Sequence, residues 1–199
     1  FTFRKAWASG NGKVKPGKKV EVTAADGKVT LYDADHIIIA TGARSRELPN
    51  LPQDGKKVIG YRQAMTLEQQ PKKMIVVGSG AIGVEFASFY NAMGTEVTIV
   101  EFMPNIVPVE DEDVSKQFER SLKKAGITIM TNASVEKVDT TGNGVKAFVK
   151  TAKGEEILEA DILLSAVGIK TNIENIGLEE VGIAVDRDKI LVNAYYQTN

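Results

Sequence analysis

Six consecutive residues carry the strongest chemical signal in this sequence: Gly78, Ser79, Gly80, Ala81, Ile82 and Gly83. They follow an apolar run, Lys73-Met74-Ile75-Val76-Val77, and open a stretch with helical spacing. A second apolar run, Glu96 to Val100, then ends at an acid, Glu101. Three glycines spaced G-x-G-x-x-G between a strand and a helix suit the binding of a pyrophosphate. Gly78 permits the tight turn, Gly80 lets a phosphate approach the backbone, and Gly83 lets the helix pack close to the strand. The N–H groups of Ser79 to Ile82, with the positive end of the helix, would hold the phosphates. A carboxylate at Glu101 would accept hydrogen bonds from the two ribose hydroxyls of an adenosine and repel a 2′-phosphate. That favours NAD over NADP, and no Arg immediately follows Glu101. The plainer reading is a glycine-rich turn and a surface Glu in an ordinary α/β protein.

Other residues are less specific. Glu85 falls on or beside the apolar stripe of the helix, as a half-exposed helix acid or as a polar group near a nicotinamide. Ile37 to Ala40 is a continuous apolar run ending at Thr41-Gly42-Ala43, and Asp161 to Val167 is another ending at Gly168. Small residues at the carboxyl ends of buried strands suit ligand binding, and each is equally a tight turn. His36, just ahead of a buried strand, reads as structural.

These residues need elements to hold them. Residues 1–35 alternate in polarity around turn signals at Asn11-Gly12, Pro16-Gly17 and Asp26-Gly27, which predicts an antiparallel β-meander. Ile37 to Ala40 predicts a strand buried on both faces. Pro49, Pro52 and Gly55 mark a connector. The next helix is expected over 81–93, with Ile82, Phe86, Phe89 and Met93 as its apolar stripe and Gly94 as its stop. A second is expected over 110–125, with Val114, Phe118 and Leu122 inward and Gly126 beyond. Asp111, Glu112 and Asp113 at its start and Lys123-Lys124 at its end suit the helix dipole. Ile127 to Met130 is a strand. From Ser134 to Glu159 the period returns to two, a second β-meander. A late strand is expected at Ile190-Leu191-Val192. The fold class is therefore α/β: a Rossmann-like dinucleotide domain, a parallel sheet carrying a β-meander insertion.

Composition narrows the chemistry. The 25 Lys+Arg and 26 Asp+Glu give a net charge of −1, which argues against a nucleic acid or an anionic membrane as main partner. No apolar run approaches the ~20 residues of a membrane span. With no Cys and one His, these residues hold no disulfide, no thiol chemistry and no Cys or multi-His metal site. No residue is expected to be catalytic and none to bind a metal. The start at Phe-Thr-Phe suggests a piece of a longer protein.

Three stretches together carry a family resemblance: Ile37 to Ala43, Val76 to Glu85, and Val97 to Phe102. They resemble the pyridine nucleotide-disulfide oxidoreductases, and within them the dihydrolipoamide dehydrogenases. Val109 to Gly126, Asp161 to Gly168 and Asn175 to Ile183 are also similar. The resemblance implies an NAD-binding domain over 68–170. It implies flanking segments of a split, incomplete FAD domain at 1–67 and 171–199. It places Thr41, Gly42 and Ala43 against FAD. It gives the NAD pyrophosphate to Gly78–Gly83 and the ribose to Glu101. It sets Val135 beside the adenine, Gly168 along the cofactor groove and Glu85 near the nicotinamide and flavin. Many relatives carry two basic residues and a Pro after the Gly of the late strand, where this chain has Ile169-Lys170-Thr171-Asn172. Two-cofactor enzymes of this kind oxidise dihydrolipoamide through FAD to NAD⁺. Their partners would be lipoyl groups of 2-oxo acid dehydrogenase or glycine cleavage complexes. A homodimer is expected, in a bacterial cytoplasm or, for a eukaryotic source, a mitochondrial matrix. The fragment alone is expected to be inactive. Other flavin disulfide reductases, an NADH oxidase, or a standalone NAD-binding module are the alternatives.

Overall fold

Alternation of apolar and polar residues builds the first elements of the chain. A computed structural model describes residues 12–199. The predicted turn partner Asn11 and the residues before it lie outside them. Strands β1 (Gly12–Lys15), β2 (Lys19–Thr23) and β3 (Val29–Asp33) pair antiparallel as the predicted meander. Its second turn is set by Asp26, whose carboxylate accepts the Lys28 N–H at 2.9 Å, and by Gly27 at φ +82°.

The Ile37 to Ala40 run departs from expectation. It forms no strand, and Ile38 is 89% exposed. An all-apolar strand is stable only with neighbours on both sides, and among the described residues none pairs with this run. His36 is likewise exposed. A short strand, β4 (Ala43–Ser45), follows.

Next come β5 (Val58–Ile59), α1 (Tyr61–Ala64), β6 (Lys73–Val77), α2 (Ala81–Ala92), β7 (Glu96–Val100), α3 (Glu112–Lys124) and β8 (Thr128–Met130). They are followed by β9 (Ser134–Asp139), β10 (Val145–Thr151), β11 (Gly154–Ala160) and β12 (Ile162–Ser165). The last strands are β13 (Ile169–Thr171), β14 (Val185–Asp186) and β15 (Lys189–Ile190). The late strand thus stops at Ile190, and Leu191 and Val192 are half exposed.

The described residues divide into two units: 12–44 with 170–199, and Ser45–Ile169. In the first, the Val14 N–H donates to the Ile176 carbonyl and Arg44 grips Glu174. The Arg44 and Lys170 side chains hold the Glu174 carboxyl well below the usual carboxylate range.

The second unit centres on a parallel sheet of order β5-β12-β6-β7-β8. Its edge strand is formed by Val58 and Ile59, in a stretch read as connector, which pair with β12. Asp54 sets up that edge: its Oδ1 accepts the N–H groups of Lys56, Lys57 and Val58.

Alternate side chains of each sheet strand enter two cores, as the pleat requires. Met74, Val76, Val97, Ile99 and Leu164 pack on the helical side with Val84, Ala87, Tyr90 and Leu122. Ile75, Val77 and Leu163 pack on the other side with Val135, Val145, Ala147 and Val149 of the meander β9-β10-β11. The layers are helices, parallel sheet and antiparallel sheet, an α/β fold with a β-meander insertion.

Helix faces differ from the predicted stripes. The buried residues of α2 are Gly83, Val84, Ala87 and Tyr90, while Phe89 and Met93 are 57% and 56% exposed. Ile82 and Phe86 of the predicted stripe do pack partly against the core. Gly83 brings the helix close to the sheet and Tyr90 is buried beside it, which leaves Phe89 and Met93 on the flank. In α3, Asp111 is the N-cap, with its Oδ1 accepting from Asp113 N at 2.9 Å. Leu122 is buried, Phe118 packs partly, and Val114 is 56% exposed.

Candidate dinucleotide-binding site

Strand order places the site. From β6 the chain steps to β7 and β8 on one side and later returns to β12 on the other, where β12 enters between β6 and the earlier edge strand β5. The order reverses between β6 and β12, and open α/β sheets bind ligands at the carboxyl ends of the strands beside such a reversal. Gly78 follows β6 there, and Ala166 to Gly168 follow β12.

Each glycine of the turn has a distinct structural reason. Gly78 sits at φ +97°, and a Cβ on it would lie 2.5 Å from the Ala166 carbonyl oxygen. Its N–H donates to the Val100 carbonyl at 2.9 Å, tying the turn to the end of β7. Gly83 is a matter of space alone: a Cβ there would come within 2.0 Å of the Gly78 carbonyl oxygen. Gly80, the N-cap of α2, is different, since a Cβ there meets nothing within 4 Å. Its bareness serves no packing need of this chain.

Donors face that open space. The first intrahelical bond of α2 runs from Val84 N–H to the Gly80 carbonyl. The N–H groups of Gly80, Ala81, Ile82 and Gly83 therefore precede the reach of intrahelical acceptors. With the helix dipole they form an anion-binding end. The Ser79 N–H is not among them. It donates to Glu101 Oε2 at 2.7 Å, so the expected set Ser79 to Ile82 loses its first member as a phosphate donor.

Glu101 lies at the tip of β7 and is 6% exposed. Burying a carboxylate is costly unless it is hydrogen-bonded, and Glu101 accepts three bonds. Two reach Oε2, from Ser79 N–H at 2.7 Å and Ser79 Oγ–H at 2.6 Å. The third reaches Oε1, from Met103 N–H at 2.7 Å.

The Glu101 main chain is fixed as firmly. Its N–H donates to the Met130 carbonyl, and its carbonyl accepts from Ala133 N–H. That brings the segment leading into β9 against the acid. Val135 follows, with its side chain in the core at 5% exposure and its carbonyl accepting from Asn50 Nδ2. Gly168 sits at φ +103°, its carbonyl bonded by the Arg46 N–H at 3.0 Å.

The structure thus gathers Gly78 to Gly83, Glu101, Val135 and Gly168 around one end of the sheet. Glu85 is exposed on α2 and lines a different feature, a groove of about 660 Å³ with Met65, Phe86, Phe89 and Met93. Thr41, Gly42 and Ala43 lie in the other unit. There the Thr41 and Gly42 carbonyls are bonded by Asn172, through its side chain and its N–H. Ser79 as a partner of Glu101 escaped sequence reasoning. The only signal was a hydroxyl at a loop position where any small residue fits.

A family model described as pyridine nucleotide-disulphide oxidoreductase matches residues 5–199. The chain belongs to the pyridine nucleotide-disulphide oxidoreductase family. Within the family it is similar to a dihydrolipoyl dehydrogenase of Rhizobium etli, 47% identical over 169 residues, covering 84% of this chain and 35% of the relative. It is 42% identical to the Zymomonas mobilis dihydrolipoyl dehydrogenase over 192 residues, covering 96% of this chain and 41% of the relative.

Among solved structures it is similar to LpdA of Mycobacterium tuberculosis, with TM-score 0.78, 33% identity, 89% of this chain and 39% of that one. It is also similar to the flavoprotein disulfide reductase RclA of Escherichia coli, with TM-score 0.82, 28% identity, 95% of this chain and 42% of that one. The chain spans well under half the length of these family members. Among the described residues no helix is long and apolar enough to cross a membrane, and no His, Cys, Asp and Glu cluster could hold a metal.

Proposed function

We propose that the 68–170 region binds NAD(H), as the nicotinamide-nucleotide platform of a FAD-dependent dihydrolipoamide dehydrogenase. The observation that carries this reading is the bare Gly80 cap. It has open space where a Cβ would stand and unspent N–H donors beside it, at the switch point of the sheet. The pyrophosphate would lie there, on the N–H groups of Gly80, Ala81, Ile82 and Gly83. Glu101 would take the adenosine ribose and oppose a 2′-phosphate, Val135 would lie near the adenine, and Gly168 would line the groove. NAD⁺, when bound, supplies the hydride acceptor. The chain's own work is to bind and orient the nucleotide.

Thr41 to Ala43 would touch FAD in the whole enzyme, with residues 1–67 and 171–199 as parts of its domain. The Ile37 to Ala40 run supports this, since it has the composition of a central strand, pairs with no strand among the described residues and leaves Ile38 exposed. The lipoyl partners, the homodimer and the cytoplasmic or mitochondrial setting belong to the same proposal. Similarity to dihydrolipoyl dehydrogenases over 84–96% of the chain supports it.

Calorimetric titration of the chain tests the reading. NAD(H) should bind weakly and NADP(H) more weakly still; equal or reversed affinities would count against it. With no Cys in the sequence, the chain should not turn over dihydrolipoamide. It should not retain a yellow flavin on purification either, because Thr41 to Ala43 are the only residues here assigned to the FAD site. A second reading, the same domain in another flavoprotein disulfide reductase, is supported by the likeness to RclA. It makes the same cofactor prediction, and the thiol substrate of the whole enzyme separates the two.

A further inference from the structure

The hydrogen bonds of Ser79 do not suit a phosphate ligand. Its N–H and its hydroxyl both end on Glu101 Oε2, and its side chain is 0% exposed. Its carbonyl accepts the Val107 N–H at 3.0 Å. Val107 stands at φ +39°, a conformation that branched side chains adopt only under constraint from their surroundings. Every polar group of Ser79 is therefore spent on joining the glycine turn to the tip of β7 and the loop beyond it.

A carboxylate offers about four acceptor positions. Ser79 fills both on Oε2, and Met103 N–H takes one of the two on Oε1. One acceptor position remains.

We infer that Ser79 is a positioning residue that turns the Glu101 carboxylate so that it meets the adenosine ribose through Oε1 alone. This rests on the dinucleotide reading above and sharpens it, because the expected contact to two ribose hydroxyls becomes a contact to one. Without the Ser79 hydroxyl, the carboxylate keeps two main-chain donors but loses the side-chain bond that fixes its plane. Ribose recognition and discrimination against a 2′-phosphate both depend on that plane.

Calorimetric titration of the 199-residue chain with NAD⁺ and NADP⁺ tests this, using Ser79→Ala, Glu101→Ala and the double variant. Ser79→Ala should weaken NAD⁺ about tenfold, the loss of the ribose hydrogen bond that the loosened carboxylate no longer holds. NADP⁺ should weaken less, so the preference narrows. A merely structural role would lower both by the same factor. In the Glu101→Ala background, Ser79→Ala should have almost no further effect on NAD⁺. An undiminished effect there would mean that Ser79 touches the ligand directly, and would overturn the inference while leaving the dinucleotide reading intact.

The unmodified chain supplies a check that needs no variant. NAD⁺ analogues lacking the 2′- or the 3′-hydroxyl of the adenosine ribose should differ, with one loss about tenfold and the other near unity. Equal losses would overturn the inference. Failure of the unmodified chain to bind NAD⁺ at all would overturn the dinucleotide reading and this inference together.

Discussion

Gly83 on α2 touches the Gly78 main chain so closely that a Cβ on Gly83 would lie 2.0 Å from the Gly78 carbonyl oxygen. The helix and the turn at the end of β6 cannot both keep their places if Gly83 grows. Gly83→Ala should therefore destabilise the chain by about 1–3 kcal/mol, the usual cost of overpacking. Urea unfolding would show it as a lowered midpoint with little change in slope. An unchanged midpoint would mean that the contact is slack.

Gly80→Ala should behave in the opposite way. A Cβ there meets nothing within 4 Å, and the residue has an ordinary φ of −65°. Stability should stay within about 0.5 kcal/mol of the parent. NAD⁺ binding should still fall, because the methyl group enters the space where the pyrophosphate approaches. If both stability and binding are unchanged, the phosphate lies elsewhere.

Glu101→Arg should shift the cofactor preference toward NADP(H), and the structure adds a cost. Ser79 N–H, Ser79 Oγ–H and Met103 N–H would face a cation in place of their acceptor. An unsatisfied buried donor costs about 1–3 kcal/mol. The variant should melt at a lower temperature than the parent, and the NAD⁺/NADP⁺ affinity ratio should fall. A ratio that does not move would remove Glu101 from the ribose site.

Acid should loosen the edge of the parallel sheet through Asp54. Burial works against its ionisation, but the N–H groups of Lys56, Val58 and Lys57 outweigh that and hold its carboxyl below the ordinary value. A carboxyl lowered in the folded state contributes stability above its unfolded pKa of about 3.9 and loses it as pH falls through the lower folded value. Asp54→Asn should flatten the fall of stability with pH in that acid window. The measurement is urea unfolding at a series of pH values, and an identical slope in the variant would count against this role.

Local signals made much of the molecule legible without its structure. Both meanders, the strands β6, β7, β8 and β12, both long helices and the dinucleotide turn depend on period, caps and glycine placement within a few residues of sequence. The sequence also determined the chemistry on offer: a G-x-G-x-x-G turn, an acid at the next strand end, and no thiol.

Tertiary structure decided what depends on distant partners. Ile37 to Ala40 has the composition of a buried strand, yet a strand exists only where neighbours bond it. Val58 and Ile59 are too few to signal a strand, yet they become one because β12, about a hundred residues later, pairs with them. The face of α2 turned inward because Gly83 fits against Gly78, which displaced Phe89 and Met93 outward. The bond from Ser79 to Glu101 follows the same rule. Neither residue announces the other in sequence, and they meet because parallel pairing of β6 with β7 aligns the two strand ends.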